Sequence, residues 1–380
     1  MFSFFSPQAI HFGRGQSAQT PALAKAFGTN ILLVHGATAR RANWLIDGCK
    51  QAGLTVQTLA CKNEPSLPDI EQALTDLKGF DPDVVIALGG GAVIDFGKAL
   101  AALIPCSAPP QDYLEVVGKG RPLDHAPLPL IALPTTAGTG AEVTKNAVIT
   151  VPEHGIKVSL RDPRMIPDIA IVDAGLMQGA PRRVALAAGL DAITQVIEPY
   201  LSNKANPMTD ALCLSAIPTG LAAIRELVEN DAPAAWDDMA RVSTWGGLAL
   251  ANSGLGAVHG FAGVIGGRTN APHGEICGAL LPAVLASHLR KAEAGTKIHS
   301  RLAWVLEQIE NQFGDGTEGT GLAQLKAWSR KMGLRGLAEM GVTKTDLDAI
   351  ARASSGASSM KGNPFALTHP ELVEILTDAH

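Results

Sequence analysis

In the first half of the chain, apolar residues fall in short unbroken runs. NILLV at 30–34, VVIAL at 84–88 and the stretches 128–133 and 170–172 are too short for helices and lack polar alternation. Runs of this kind predict strands buried on both faces, as in a parallel sheet. A further strand is predicted over 54–59. Between the strands the spacing turns helical, over 38–52, over 67–77 with Ile70, Leu74 and Leu77 on one side, and over 92–104. Strands alternating with helices predict a parallel sheet with helices on both faces. Residues 148–149 and 157–160 predict a hairpin around Glu153-His154-Gly155, and the apolar start, broken by Pro7, predicts an early strand and turn. Beyond about residue 180 the texture changes. Helical spacing runs through 185–200, 207–230, 234–253, 281–291, 298–313, 321–332 and 344–353, and strand signals nearly vanish. The expected fold class is therefore α/β with a parallel sheet over 1–178, followed by an all-α domain over 179–380. Ligands are expected in a cleft between the two, at the carboxyl ends of the strands.

Composition narrows the class. A chain of 380 residues with 46% hydrophobic and 18% charged residues can bury a large core and is not disordered. A net charge of −5 gives no reason to expect nucleic acid or an anionic membrane as partner. No run approaches the length of a membrane span. The five cysteines form no CxxC pair, and the start lacks the basic region of a signal peptide, so reduced thiols in the cytoplasm are expected. The glycine-rich stretch 314–321 reads as a surface loop.

Three stretches carry chemistry. Gly89-Gly90-Gly91-Ala92-Val93-Ile94-Asp95 lies where a strand gives way to a helix. Glycines there let backbone N–H groups approach a pyrophosphate, and the helix N-terminus adds a favourable dipole. The motif is not GxGxxG, and a ligand-free turn has the same composition. Pro134-Thr135-Thr136-Ala137-Gly138-Thr139-Gly140-Ala141-Glu142 also follows a strand. Its hydroxyls suit phosphate or a nicotinamide amide, and Thr139 with Glu142 equally fits a capping box. In the third stretch, GLDAITQVIEPY at 189–200, Asp191 and Gln195 stand at i and i+4, on one helix face. His259 and His273 follow, the latter between Pro272 and Gly274. An acid, an amide and two imidazoles that converge would form a metal site with one odd ligand, or what is left of one.

Taken together, GGGAVID, PTTAGTGAEVTKNAVIT, GLDAITQVIEPYLS, ANPMTDAL and VHG…APHG, in that order over about residues 30–290, resemble the iron-containing (group III) alcohol dehydrogenase family. The resemblance implies an N-terminal dinucleotide-binding domain, a helical C-terminal domain, and hydride transfer between NAD or NADP and a small alcohol, aldehyde or ketone. It implies pyrophosphate contacts from Gly90, Gly91 and Ala92, and phosphate and nicotinamide contacts from Thr135, Thr136 and Thr139. Asn146 and Lys157 would line the cofactor site, and Asp95 would sit in the first turn of the glycine-motif helix. Where many NAD-preferring members carry an aspartate, this chain has Gly36, followed by Arg40 and Arg41, which opens the way to NADP.

The resemblance also implies a divalent ion, Fe²⁺ or Zn²⁺, held by one aspartate and three histidines. Asp191, His259 and His273 match, and these three are the expected catalytic set. Gln195 stands where the remaining imidazole would be, and Gly263 replaces a further histidine. An amide is a weak donor for such ions, so lower affinity and partial occupancy are expected. Two alternatives follow: a metal-independent reductase of a small oxo-acid, resembling maleylacetate reductases and using Arg268 or Lys361, and a weakened homologue that only binds nucleotide. Glu198 fits either a supporting role at the metal helix or a solvated helix end, and Cys277 a buried thiol. A cytoplasmic homodimer is expected.

Overall fold

A computed structural model describes residues 1–269 and 271–380. The chain forms two compact units. One comprises Phe5–Thr136 and Gly140–Gln178, the other Gly179–His380 with Met1–Phe4 and Ala137–Thr139. Neither unit is one unbroken stretch, a detail that local periodicity does not encode.

The first unit runs through β1 (Ala9–Phe12), α1 (Thr20–Lys25), β2 (Asn30–Gly36), α2 (Asn43–Gln51), β3 (Thr55–Cys61), α3 (Leu67–Asp76), β4 (Val84–Gly89), α4 (Gly91–Leu103), β5 (Leu130–Pro134), β6 (Asn146–Val151), β7 (Ile156–Arg161) and β8 (Ile169–Val172). Among the described residues, six strands form a sheet in the order β1-β8-β5-β4-β2-β3, and each neighbouring pair is parallel. β6 and β7 form a separate antiparallel hairpin.

The unbroken apolar runs of β2 and β4 follow from burial on both faces. Leu32, Val34, Val85 and Ala87 enter one core with α3 and α4, while Ile31, Leu33, Val84 and Ile86 enter the other with α2. This is the period-two alternation of a strand with both faces dry. The stretch 38–52 divides into a 3-10 turn, Ala39–Ala42, and α2.

The second unit contains α5 (Arg182–Leu201), α6 (Pro207–Asn230), α7 (Pro233–Ser253), α8 (Ala257–Thr269), α9 (His273–Lys291), α10 (Lys297–Phe313), α11 (Gly321–Lys331), α12 (Leu347–Ser355) and α13 (His369–Ala379). α5 packs against α6, α7 and α9 and is buried all round beyond its first turn. The helix starts are strongly specified: Asn206 caps α6 by accepting from the Met208 and Thr209 N–H groups, with Pro207 at the first position. α6 is long and apolar enough to cross a membrane by composition, yet half of its most apolar window is buried inside the unit.

Candidate active site and metal cluster

In the α/β unit, β4 ends at Gly89 and α4 begins at Gly91. A Cβ at Gly89 would lie 2.4 Å from Val93 Cγ2, so the first glycine answers to packing of the helix on the strand end. Gly90 caps α4 in an extended conformation. The first-turn N–H groups, at Gly91 and Ala92, then face the carboxyl end of β4, the usual place for an anion. Thr135 N–H donates to the Gly89 carbonyl at 2.9 Å, which fixes the threonine turn beside the glycine turn, with Thr136 flanking Gly90. Thr139 falls in the other unit.

The remaining expected cofactor residues tie the hairpin to α4 and to the loop after β3. Asp95 accepts from Val148 N–H at 3.1 Å, Asn146 offers its carbonyl to Lys98 Nζ at 3.0 Å, and Lys157 pairs with Glu64. Lys98, which belongs to no motif in the sequence, is fully buried and also donates to Thr144 Oγ1 at 2.7 Å. Burial lowers its pKa to about 8, against the pull of Asp95 and Glu142. Its signal in the sequence is the i, i+3 spacing of Asp95 and Lys98, one face of a helix. Gly36 closes β2, and a Cβ there would meet only Val93 Cγ2, at 3.9 Å. Arg40 and Arg41 are exposed on the turn that follows.

The helical unit brings Asp191 of α5, His259 of α8 and His273 at the start of α9 to one point. Asp191 Oδ1 is 3.3 Å from His259 Nε2 and 3.9 Å from His273 Nε2. Cys277 joins them, its Sγ 3.9 Å from His259 Nε2 and 3.6 Å from His273 Nε2. One ligand atom from each of these four residues lies within 4.8 Å of every other. Asp191, His259 and Cys277 are buried, while the His273 side chain keeps 37% of its exposure.

The support behind the cluster comes from Glu198. Its Oε1 accepts from Val258 N–H at 2.7 Å, and its Oε2 lies 2.7 Å from His259 Nδ1. The carboxylate therefore accepts a hydrogen bond from Nδ1–H and turns Nε2 toward Asp191 and Cys277, the arrangement found behind metal-bound histidines. Burial alone would raise the Asp191 pKa, but His273 and His259 hold it below the usual carboxylate value. Burial likewise works against protonation of His259 and His273, yet Cys277 and Asp191 outweigh it. His259 is raised well above its ordinary value, and His273 to about 9.

The donor set fits a divalent cation. Asp191 Oδ1 and Gln195 Oε1 are buried without a hydrogen-bond partner. A buried acceptor left in this state costs about 1–3 kcal/mol, which a cation held at Asp191 Oδ1 would recover. Gln195 packs on α5 beside Asp191 and helps to hold that carboxylate ionised.

Around the cluster, Gly263 is exposed, and a Cβ there would meet nothing within 4 Å. Arg268 and Lys361 are also exposed. Glu275 is buried between Arg183 Nε and Arg335 Nε, each at 2.7 Å.

Comparison with known proteins gives a consistent picture. A family model described as iron-containing alcohol dehydrogenase matches residues 7–174, and one described as the C-terminal part of the Fe-containing alcohol dehydrogenase family matches 185–380. The chain is 33% identical to lactaldehyde reductase of Escherichia coli over 312 residues, 82% of this chain and 80% of that protein. It is 29% identical to NAD-dependent methanol dehydrogenase of Bacillus methanolicus, over the whole of both chains. Among solved structures, alcohol dehydrogenase from Oenococcus oeni superposes with a TM-score of 0.89 at 27% identity, covering all of both chains.

Proposed function

This chain belongs to the iron-containing alcohol dehydrogenase family, and on that premise we propose that it interconverts a small alcohol and its aldehyde at the Asp191–His259–His273 cluster. The observation that carries this reading is the convergence of those three side chains, backed by Glu198, on one buried point. Bound to this chain, a divalent ion would supply Lewis-acid polarisation of the substrate oxygen and a nicotinamide cofactor the hydride.

The chain's own residues supply the rest. The amides of Gly91 and Ala92 at the α4 start hold pyrophosphate, and Thr135 and Thr136 border the same turn. We place Thr139, Asn146 and Lys157 at the cofactor as well, with Asp95 bracing the helix behind it. Glu198 fixes the His259 tautomer, and Asp191 stays ionised as an acceptor for the ion. The open side at Gly263 leaves room for water to carry the proton that the missing imidazole would otherwise relay. The aldehyde reading is preferred to the oxo-acid reading because the converging side chains form a cation site, which the metal-independent alternative does not need. Purified protein should hold a divalent ion and oxidise NAD(P)H with short aldehydes. Asp191→Ala should lose both the ion and at least about 100-fold in kcat/KM; full activity in that variant, or in wild type stripped by chelator, would overturn the assignment.

We also propose NADP as an accepted cofactor, since no carboxylate at Gly36 repels a 2′-phosphate. Gly36 has space for a larger side chain. Gly36→Asp should therefore shift the NADPH/NADH ratio of kcat/KM toward NADH by about tenfold or more, and an unchanged ratio would reject the argument. Self-association is proposed from the edge strand β1, where Ile10 and Phe12 are exposed. A cytoplasmic location is proposed from the five free thiols.

A further inference from the structure

From the packing of α9 on α5 we infer that Cys277 is the fourth protein ligand of the metal, standing as a thiolate where the family pattern would have Gln195's position supply an imidazole. The inference rests on reading the cluster as a metal site, and it goes further by changing the donor set and hence the ion preferred.

His273 and Cys277 are i and i+4 on α9, so they leave the same helix face one turn apart. Each is followed by a glycine, and these glycines let α9 sit directly on α5 beside Asp191. A Cβ at Gly274 would come within 2.3 Å of the Ala187 carbonyl oxygen, and one at Gly278 within 2.6 Å of Leu190 Cδ1. A larger residue at Gly274 would part the helices, and one at Gly278 would have to displace the Leu190 side chain. The close approach sets the Cys277 sulfur against both imidazoles.

The distances suit tetrahedral coordination. With Zn–N, Zn–O and Zn–S bonds of ordinary length, the edges of a regular tetrahedron are about 3.4 Å for N···O and about 3.6 Å for N···S. The observed N···O separations are 3.3 and 3.9 Å, and the N···S separations 3.6 and 3.9 Å. Four of the six edges thus lie near tetrahedral values, and the other two are within 4.8 Å. The Gln195 amide, in contrast, lies beside the Asp191 carboxylate and acts on the ligand.

Sulfur changes the chemistry. A thiolate is a soft donor, so an Asp-His-His-Cys set favours Zn²⁺ over Fe²⁺ more strongly than three imidazoles and a carboxylate do. Coordination forms a metal–sulfur bond and releases the thiol proton to solvent, with no change of oxidation state.

Cobalt(II) reports the sulfur directly. Full-length protein, stripped and reloaded with one equivalent of Co²⁺, should show an intense near-ultraviolet thiolate-to-cobalt charge-transfer band beside the visible ligand-field bands. The band should persist in Gln195→Ala and vanish in Cys277→Ser and Cys277→Ala, and Zn²⁺ affinity should fall at least about 100-fold in the two cysteine variants, measured against a competing chelator. Far-ultraviolet circular dichroism checks that the variants remain folded, and the wild-type spectrum is decisive on its own. Cobalt bound without the band in wild type, or with the band intact in Cys277→Ser, overturns the thiolate ligand and leaves a metal site standing. No cobalt uptake by wild type removes the metal site, and this inference with it.

Discussion

At the scale of single residues, Glu198 shows how much of a site depends on a group that touches neither substrate nor ion. It sits on the same buried helix as Asp191, one turn beyond Gln195, and accepts from both Val258 N–H and His259 Nδ1. A carboxylate can serve two donors, whereas an amide of the same shape brings its own N–H₂ against one of them. Glu198→Gln should therefore keep the fold and weaken Zn²⁺ binding by about 10–100-fold, measured by chelator competition; unchanged affinity would mean that packing alone orients His259. Asp191, His259 and His273 were legible in the sequence because their types and order match a family pattern. Glu198 was legible only as an alternative, since its partners lie about sixty positions away in the chain. In the sequence Cys277 reads as a small buried hydrophobe, the usual fate of a lone cysteine. Its i, i+4 relation to His273 was available, but one pair at that spacing does not tell a ligand from a packed thiol until a third group arrives from another helix.

Whole elements were legible in proportion to how one-sided their burial is. α3, with a wet face and a dry one, shows its period plainly, and so do the strand runs of β2 and β4. α8 and the first turns of α9 show no clear helical period, and the spacing predicts the latter helix only from 281, whereas it starts at His273. Both are rich in glycine and buried on nearly all sides, so no polar stripe marks the period, and glycine lowers local helix propensity. α13 was missed despite the capping box of Thr368 and Glu371. α4 carries a different lesson. Its Lys98 is enclosed by Thr144, the Asn146 carbonyl, Asp95 and Glu142, and its pKa falls from 10.5 to about 8 because burial disfavours the charge. Between these values the unfolded chain binds a proton that the folded chain does not, so the stability tied to Lys98 rises with pH through that window and is constant below about pH 8. Denaturant unfolding of wild type against Lys98→Met should accordingly shift in favour of wild type by on the order of 1–2 kcal/mol from pH 8 to 10. A pH-independent difference would show that the lysine titrates normally.

For the molecule as a whole, the chemistry divides between the units by residue type. The α/β unit offers backbone amides and hydroxyls at strand ends, and the helical unit offers carboxylate, imidazole and thiol on buried helices. The change of texture near residue 180 was visible because strand runs stop there, but the passage of residues 137–139 into the helical unit was not, since three small residues carry no period. This division makes a prediction about linkage. A ligand stabilises only the state that holds its site, by about 2.7 kcal/mol at a free concentration one hundred times the dissociation constant. All four proposed metal ligands lie on α5, α8 and α9. Adding Zn²⁺ to stripped protein should thus slow amide hydrogen exchange in those helices, by up to about 100-fold where exchange needs the helical unit to open. Adding NAD(P)H alone should instead protect the β4–α4 turn and the end of β5. If Zn²⁺ protects the β4–α4 turn and leaves α5 and α9 unchanged, the ion is bound somewhere other than at Asp191, and the site proposed for the reaction is wrong.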